Sequence, residues 1–361
     1  MHSILQRILR DRSAGSHAAL LGLALLVVYG TSILTPLFGD DTILLTRARD
    51  TGWSPGELAR AFRLEIDDLT DGWKPPALEG YRLFFFRPLV VVTFKIDQAL
   101  WGTWQPGYHF TNLIVQFLVS WCVYLLARDA SLRSGYAFLC ALMFITYTPN
   151  MMTVNWVSGR TEALSALFVL IAVRCSGRYW KTESLSALAL AYAAFLAGLA
   201  TKENALLIPG FALLACFTLY RAPWNPRKLA IAFSPCIVIY PAYFWLRAKA
   251  LGGFPAPPEG YYFHQFWDAD FPLFFAVKMA HSIVSLVWQF PTPLLPELIQ
   301  RSAPGVAVFI ALAIATLIVA YRWTPAEFRI LAFGWIAIAL APTAPIGFNP
   351  IYFYLPSVAV T

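Results

Sequence analysis

Two adjacent carboxylates, Asp40 and Asp41, follow the apolar run 18–38. Side by side they repel, and one pKa rises unless a cation or a substrate group offsets the charge. Such a group can act as a general base. A hard divalent ion, Mg or Mn, also takes carboxylate oxygens. Asp40 and Asp41 could contribute two, but no complete ligand set is visible, so metal use stays open. The plainer explanation is a polar stop behind an apolar helix. What favours chemistry is the long stretch that follows, from 39 to about 107, which is rich in aromatic and apolar residues. Long connections are uncommon unless functional or disordered, and this composition argues against disorder.

A set of cations forms the second candidate group. Arg87 precedes Pro88. Arg160 lies in Trp156-Val157-Ser158-Gly159-Arg160-Thr161-Glu162, and Lys202 in Thr201-Lys202-Glu203-Asn204. Phosphate suits the planar arginine fork. Each cation alone is more simply a solvated loop end, Arg160 paired with Glu162 and Lys202 with Glu203. His109 and Asn112 are three residues apart, on one helical face; a satisfied interface histidine is the plainer explanation there. No HExxH, GxSxG or GxxxxGK[ST] occurs, which leaves a zinc protease, an α/β serine hydrolase and a nucleotide-driven pump poorly supported.

The elements that must position these residues are membrane helices. Of 361 residues, 58% are hydrophobic and 13% charged, and the mean hydropathy is +0.60. That excludes an ordinary soluble enzyme, a disordered chain and a nucleic-acid-binding domain. One span needs roughly 20 apolar residues. The first is read at 18–38, uncleaved, behind Arg7, Arg10 and Arg12. Further spans are read at 108–127, 134–149, 159–173, 184–200, 205–220, 229–246, 306–321 and 328–345. Nine to eleven transmembrane helices are expected in all. The net charge of +7 tests the layout. Loops assigned to the cytoplasm hold Arg128, Arg133, Arg174, Arg178, Lys181, Arg221, Arg227, Lys228, Arg322 and Arg329. Short loops on the far side hold Arg160, Lys202 and Arg301. The asymmetry follows the positive-inside rule. Arg87, Arg160 and Lys202 then share the non-cytoplasmic face with the acidic pair.

Two segments fit less simply. The stretch 271–290 contains Lys278 and His281 and is expected to be re-entrant or interfacial. The stretch 87–101 contains Lys95 and Asp97 and is expected to lie along the surface. A second long outer loop, 247–270, carries a Tyr-Tyr-Phe-His run. The sequence ends about 11 residues into another apolar segment, so either the natural protein is longer or this helix stops within the membrane. The five cysteines (Cys122, Cys140, Cys175, Cys216, Cys236) show no CxxC spacing and read as small buried hydrophobes.

With these residues in hand, the chain resembles the GT-C class of integral-membrane glycosyltransferases, in particular the O-mannosyltransferase group with TMTC-like membrane domains and its bacterial counterparts. The matching pieces come in family order. They are Asp40-Asp41, Arg87-Pro88-Leu89, Leu100-Trp101-Gly102, Gly107-Tyr108-His109, Thr111-Asn112, Trp156 to Arg160, Thr201-Lys202-Glu203 and Tyr354-Leu355-Pro356-Ser357. The likeness is ordered over roughly 18–246 and loose beyond, which suggests a catalytic membrane module at 1–246 and a variable membrane region at 247–361. Many relatives have His-Pro where Thr148-Pro149 stands, and an arginine near Ile351 and Tyr352. Tetratricopeptide repeats often follow in relatives and are absent from this sequence.

The resemblance implies an all-α polytopic fold whose first outer loop carries interfacial helices. It also implies a polyprenyl-phosphate-linked sugar donor and inverting transfer to a hydroxyl of a protein, lipid or glycan. Asp40 would be the base, supported by Asp41. Arg160, Lys202 and Arg87 would hold the phosphate, with His109, Asn112, Trp156, Glu162 and Glu203 completing the substrate site. Membrane lipids are expected partners and nucleic acid is not. The expected location is a bacterial inner membrane with the site facing the periplasm. The rivals are a polytopic transporter, a lipid-linked glycan flippase or ligase, and a non-catalytic binder of lipid-linked sugar.

Overall fold

The computed structural model describes residues 13–61, 63–65, 84–253, 267, 269–288, 303–343 and 350–361. The N-terminal arginines, the Tyr-Tyr-Phe-His run and Arg301 lie outside them. Helix α1 (Ala14–Tyr29) is capped by the Ser13 hydroxyl and tightens into a 3-10 turn at Gly30–Leu34. It starts four residues earlier than the apolar run suggests, and Phe38 lies beyond it. Gly39 then adopts φ +56°, a left-handed conformation that glycine takes without a Cβ clash. That sharp turn starts α2 (Asp40–Asp50) at the acidic pair, where the positive end of the helix dipole favours carboxylates.

The rest of the first long loop is short pieces. Helix α3 (Pro55–Ala61) leads to β1 (Arg63–Glu65), which pairs antiparallel with β2 (Phe84–Phe86). This two-stranded ribbon was not expected from the helical pattern. Helix α4 (Pro88–Trp101) follows, with proline at its first position. Its Lys95 and Asp97 do not face water; they are 3% and 2% exposed. The surface expectation therefore fails for the charged face, because both charges have partners inside. Lys95 Nζ donates to the Ala48 carbonyl at 3.1 Å, contacts the Thr51 carbonyl, and sits 4.7 Å over the Trp53 ring. A cation at those carbonyls satisfies the C-terminal end of α2 and ties α2 to α4.

The membrane body then runs α5 (Gln105–Asp129), α6 (Ser134–Thr146), α7 (Asn150–Asn155), α8 (Arg160–Thr182), α9 (Leu185–Leu199), α10 (Ile208–Thr218), α11 (Pro226–Phe233), α12 (Cys236–Leu251), α13 (Phe271–Trp288), α14 (Ala303–Trp323), α15 (Ala326–Leu340) and α16 (Tyr354–Ser357). Among the described residues, seven helical segments are long and apolar enough to cross a membrane: Ala14–Leu34, Gln105–Asp129, Val157–Thr182, Pro226–Leu251, Phe271–Trp288, Pro304–Trp323 and Ala326–Thr343. Three shorter apolar helices, Ser134–Thr146, Leu185–Leu199 and Glu203–Thr218, join them. The protein is an all-α polytopic membrane protein.

Helix α8 is the axis of the core. It is buried nearly all round from Ala163 to Val173, as an apolar helix inside a bundle should be. Helices α5, α9 and α10 pack on it. Trp335 of α15 lies 4.5 Å from Phe211 of α10, and its indole donates to the Leu355 carbonyl at 3.0 Å. Tyr354 bonds Gln116 of α5, and the Ser357 hydroxyl reaches Asn150 of α7 at 3.4 Å. The core is therefore continuous past residue 246. Helix α13 packs on α14 and buries Lys278 and His281; by length and composition it is able to cross.

At Gly159 an added Cβ would lie 2.5 Å from the Thr153 carbonyl oxygen. Backbone cannot yield there as a side-chain tip would, so Gly159→Ala should destabilise by about 1–3 kcal/mol. Gly210→Ala, whose nearest atoms are 3.9 Å away, should leave thermal unfolding in detergent almost unchanged.

Candidate active site

The two adjacent aspartates have different surroundings. Asp41 is fully buried. Its Oδ1 accepts from the Ser158 amide at 2.7 Å and the Ser158 hydroxyl at 2.6 Å, and its Oδ2 accepts from the Phe38 amide at 3.3 Å. Asp41 therefore fastens the start of α2 to the turn before α8. Trp156 reinforces this contact: its indole donates to the Phe38 carbonyl at 3.3 Å and its ring stacks on Phe38. Asp40 is left open to solvent on one side. Surrounding protein still withdraws enough water to raise its carboxyl pKa above the ordinary value; Asp41 adds to the rise and Arg87 opposes it. The Asp41 oxygens are already engaged, and among the described residues no three His, Cys, Asp or Glu side chains gather.

Arg160 sits behind this anchor with its side chain 0% exposed. Its Nη1 pairs with Asp97 Oδ2 at 2.5 Å, Nε donates to Asn112 Oδ1 at 2.8 Å, and Nη2 donates to the Tyr108 carbonyl at 3.0 Å. The guanidinium also lies 4.5 Å over the Phe94 ring. Its partner is thus Asp97, not Glu162, and no side of it is open to a phosphate. Asp97 in turn accepts from Thr111 at 2.8 Å, which accepts from Trp101 at 3.1 Å. The Asn112 amide donates to the carbonyls of Trp156 and Val157 at 3.1 and 3.2 Å. His109 is buried beside Asp41 and Arg160. These residues form a frame under Ser158 and hence under Asp41.

The exposed charge lies on the other side of Asp40. The Leu89 amide donates to the Ala200 carbonyl at 2.8 Å, docking the start of α4 on the turn that carries Lys202 and Glu203. Glu203 does not pair with Lys202. It lies 3.5 Å from Arg87 Nη2 and 2.8 Å from Arg247 Nη1. Lys202 contacts Glu162 instead and sits 5.1 Å over the Tyr352 ring. Burial and the charge of Arg87 both depress the Lys202 ammonium, while Glu203 opposes them; the touching Glu162 carboxylate makes a cation tenable there. The Arg87 and Arg247 side chains remain 18% and 21% exposed, unlike Arg160. Arg87 also has a buried Nε without a hydrogen-bond partner.

Sequence alone does not bring three of these residues into the site. Asp97 reads as part of a surface helix. Arg247 stands one residue past the assigned span 229–246, and the signal that singles out Lys202, a cation on the outer side, applies equally to it. Tyr352 stands out in sequence only as a departure from relatives.

The sequence is similar to a group of known proteins. The chain is 28% identical over 181 residues to protein O-mannosyl-transferase Tmtc1 of Drosophila melanogaster, covering 50% of this chain and 20% of that protein. It is 29% identical over 156 residues to human protein O-mannosyl-transferase TMTC1, covering 43% and 17%. It is 30% identical over 102 residues to human protein O-mannosyl-transferase TMTC3, covering 28% and 11%. The chain is thus similar, over up to half of its length, to the TMTC protein O-mannosyl-transferases. It spans a fifth or less of the length of these curated relatives. No family model matches, and no solved structure matches. The resemblance of the motifs to TMTC-like membrane domains is thus borne out over part of the chain.

Removing one member of a buried ion pair strands the other charge. Asp97→Asn or Arg160→Met should each cost about 3–5 kcal/mol, while Asp97→Leu combined with Arg160→Met should recover much of it. Thermal unfolding of the three variants in detergent measures this.

Proposed function

We propose that the protein transfers a sugar, mannose by analogy with the names of its relatives, from a polyprenyl-phosphate donor to a hydroxyl, on the non-cytoplasmic face. What carries this reading is the division of labour at the acidic pair: Asp41 is fully engaged, whereas Asp40 keeps an open carboxylate with raised pKa. Asp40 takes the proton of the attacking hydroxyl. The hydroxyl oxygen bonds to the anomeric carbon as the carbon–oxygen bond to phosphate breaks. The electron pair leaves with polyprenyl phosphate, and the configuration inverts.

Charge accumulates on the phosphate as that bond breaks, so cations there stabilise the transition state. We assign this to Arg87, Arg247 and Lys202. Arg87 and Arg247 share the single carboxylate of Glu203 and keep solvent-facing surface, and Lys202 is held by Glu162 beside them. Arg160, His109 and Asn112 position the base from behind, and Trp156 holds the Phe38 strip. Transport is the rival, and Lys278 and His281 in α13 are the groups it would draw on.

The test is release of free polyprenyl phosphate by purified protein in nanodiscs with synthetic polyprenyl-phosphate sugars. Asp40→Asn should lower donor-dependent release about 10²–10⁴-fold. Arg87→Gln and Arg247→Gln should each lower it about 10²–10³-fold. No release with any donor, from folded protein, would reject the transferase reading.

The pH profile provides a second check. The base must be deprotonated, and its pKa is raised, so the acidic limb of kcat/KM should lie above the ordinary carboxylate range. Arg87 lowers the Asp40 pKa. Residual activity of Arg87→Gln should therefore show a limb moved to higher pH.

A further inference from the structure

Helix α8 carries Arg160 at one end and a second charged region at the other, about 33 Å away by helical rise. There Arg178 and Lys181 of α8 lie near Arg221, which precedes α11, and Arg227 and Lys228 of its first turn. Specific contacts bring the two stretches together. The Tyr220 ring fills the space at Gly177, where a Cβ would meet it at 2.1 Å, and Lys181 lies 5.1 Å over that ring. Tyr220 itself donates to Asp129 at 3.1 Å. Lys228 joins α11 to the end of α8 through Glu183 at 2.7 Å and the Trp180 carbonyl at 3.4 Å.

The acids of this region are already paired. Asp129 holds Arg174 through two bonds, at 2.7 and 3.3 Å, and Glu183 holds Lys228. Arg178, Arg221 and Arg227 are exposed; Arg227 shares the field of Glu183 with Lys228, and the three arginines outnumber the acids of the region. Trp224, between two of them, is 74% exposed. Next to this rim lies a small apolar groove of about 30 Å³ between α8, α9, α10 and α11, lined by Tyr179, Trp180, Tyr192, Pro209 and Phe233 among others. Unbalanced arginines beside an exposed tryptophan and an apolar groove match the level of a bilayer where lipid headgroups sit.

We propose that this patch is a headgroup site for an anionic membrane phospholipid, its phosphodiester held by Arg178, Arg221 and Arg227. The site is independent of the transferase reading, since it shares no residue with it.

Native mass spectrometry of the full chain from mixed micelles tests this, counting retained phosphatidylglycerol and phosphatidylcholine. Wild type should retain phosphatidylglycerol in preference. The triple variant R178Q/R221Q/R227Q should lose that retention by about a hundredfold, from roughly 1 kcal/mol per surface cation. The triple lysine variant should keep it. Arg133→Gln with Arg322→Gln, removing charge elsewhere on the same side, should also keep it. Should the triple glutamine variant fail to fold, each single variant should lower retention several-fold. Equal retention of the two lipids, undiminished retention in folded R178Q/R221Q/R227Q, or full displacement by millimolar inorganic phosphate would each overturn the proposal.

Discussion

A guanidinium with no access to water must be surrounded by acceptors, and Arg160 is so surrounded. Its demands organise the outer half of the protein. Asp97 must come from α4, so the loop helix is drawn inward. Asn112 and the Tyr108 carbonyl must come from the first turns of α5. Asn112 then has its amide free to hold the Trp156-Val157 backbone, which presents Ser158 to Asp41. A charge buried in the frame thus governs where a carboxylate stands at the surface. Such a pair is a weak source of net stability; its effect here is to fix one arrangement of four segments.

The same logic separates two kinds of cation that look alike in sequence. Arg160 has every direction occupied. Arg87 and Arg247 share a single carboxylate and keep solvent-facing surface. Only the second kind can exchange a protein partner for a ligand. Lys202 lies between the two, covered by Tyr352 and touching Glu162.

The helical, membrane-spanning character was legible because it rests on long apolar runs and on loop charge, both local properties. The acidic pair at the start of α2 was legible for a similar reason: it ends an apolar run. Pairings were not legible. Arg160 looked adjacent to Glu162 along the chain, but its partner Asp97 is 63 positions away and comes together with it only by tertiary docking. The inward face of α4 was misjudged because a charged residue in a short apolar helix normally seeks water, unless carbonyls or an opposite charge await it inside. Motif order set these residues in one series without saying which member is buried and which is exposed.

The last helical turn carries a consequence for assembly. Tyr354 and Ser357 bond to Gln116 and Asn150, more than 200 residues earlier in the chain, and the Leu355 carbonyl takes the Trp335 indole. Contacts of such long sequence separation form late, because a large loop must close first. During synthesis the early spans therefore enter the bilayer with polar side chains of α5 and α7 still awaiting their partners. The Tyr354-Leu355-Pro356-Ser357 segment thus joins a bundle in which α5, α9 and α10 pack on α8, and it brings the last partners for polar side chains that entered long before it.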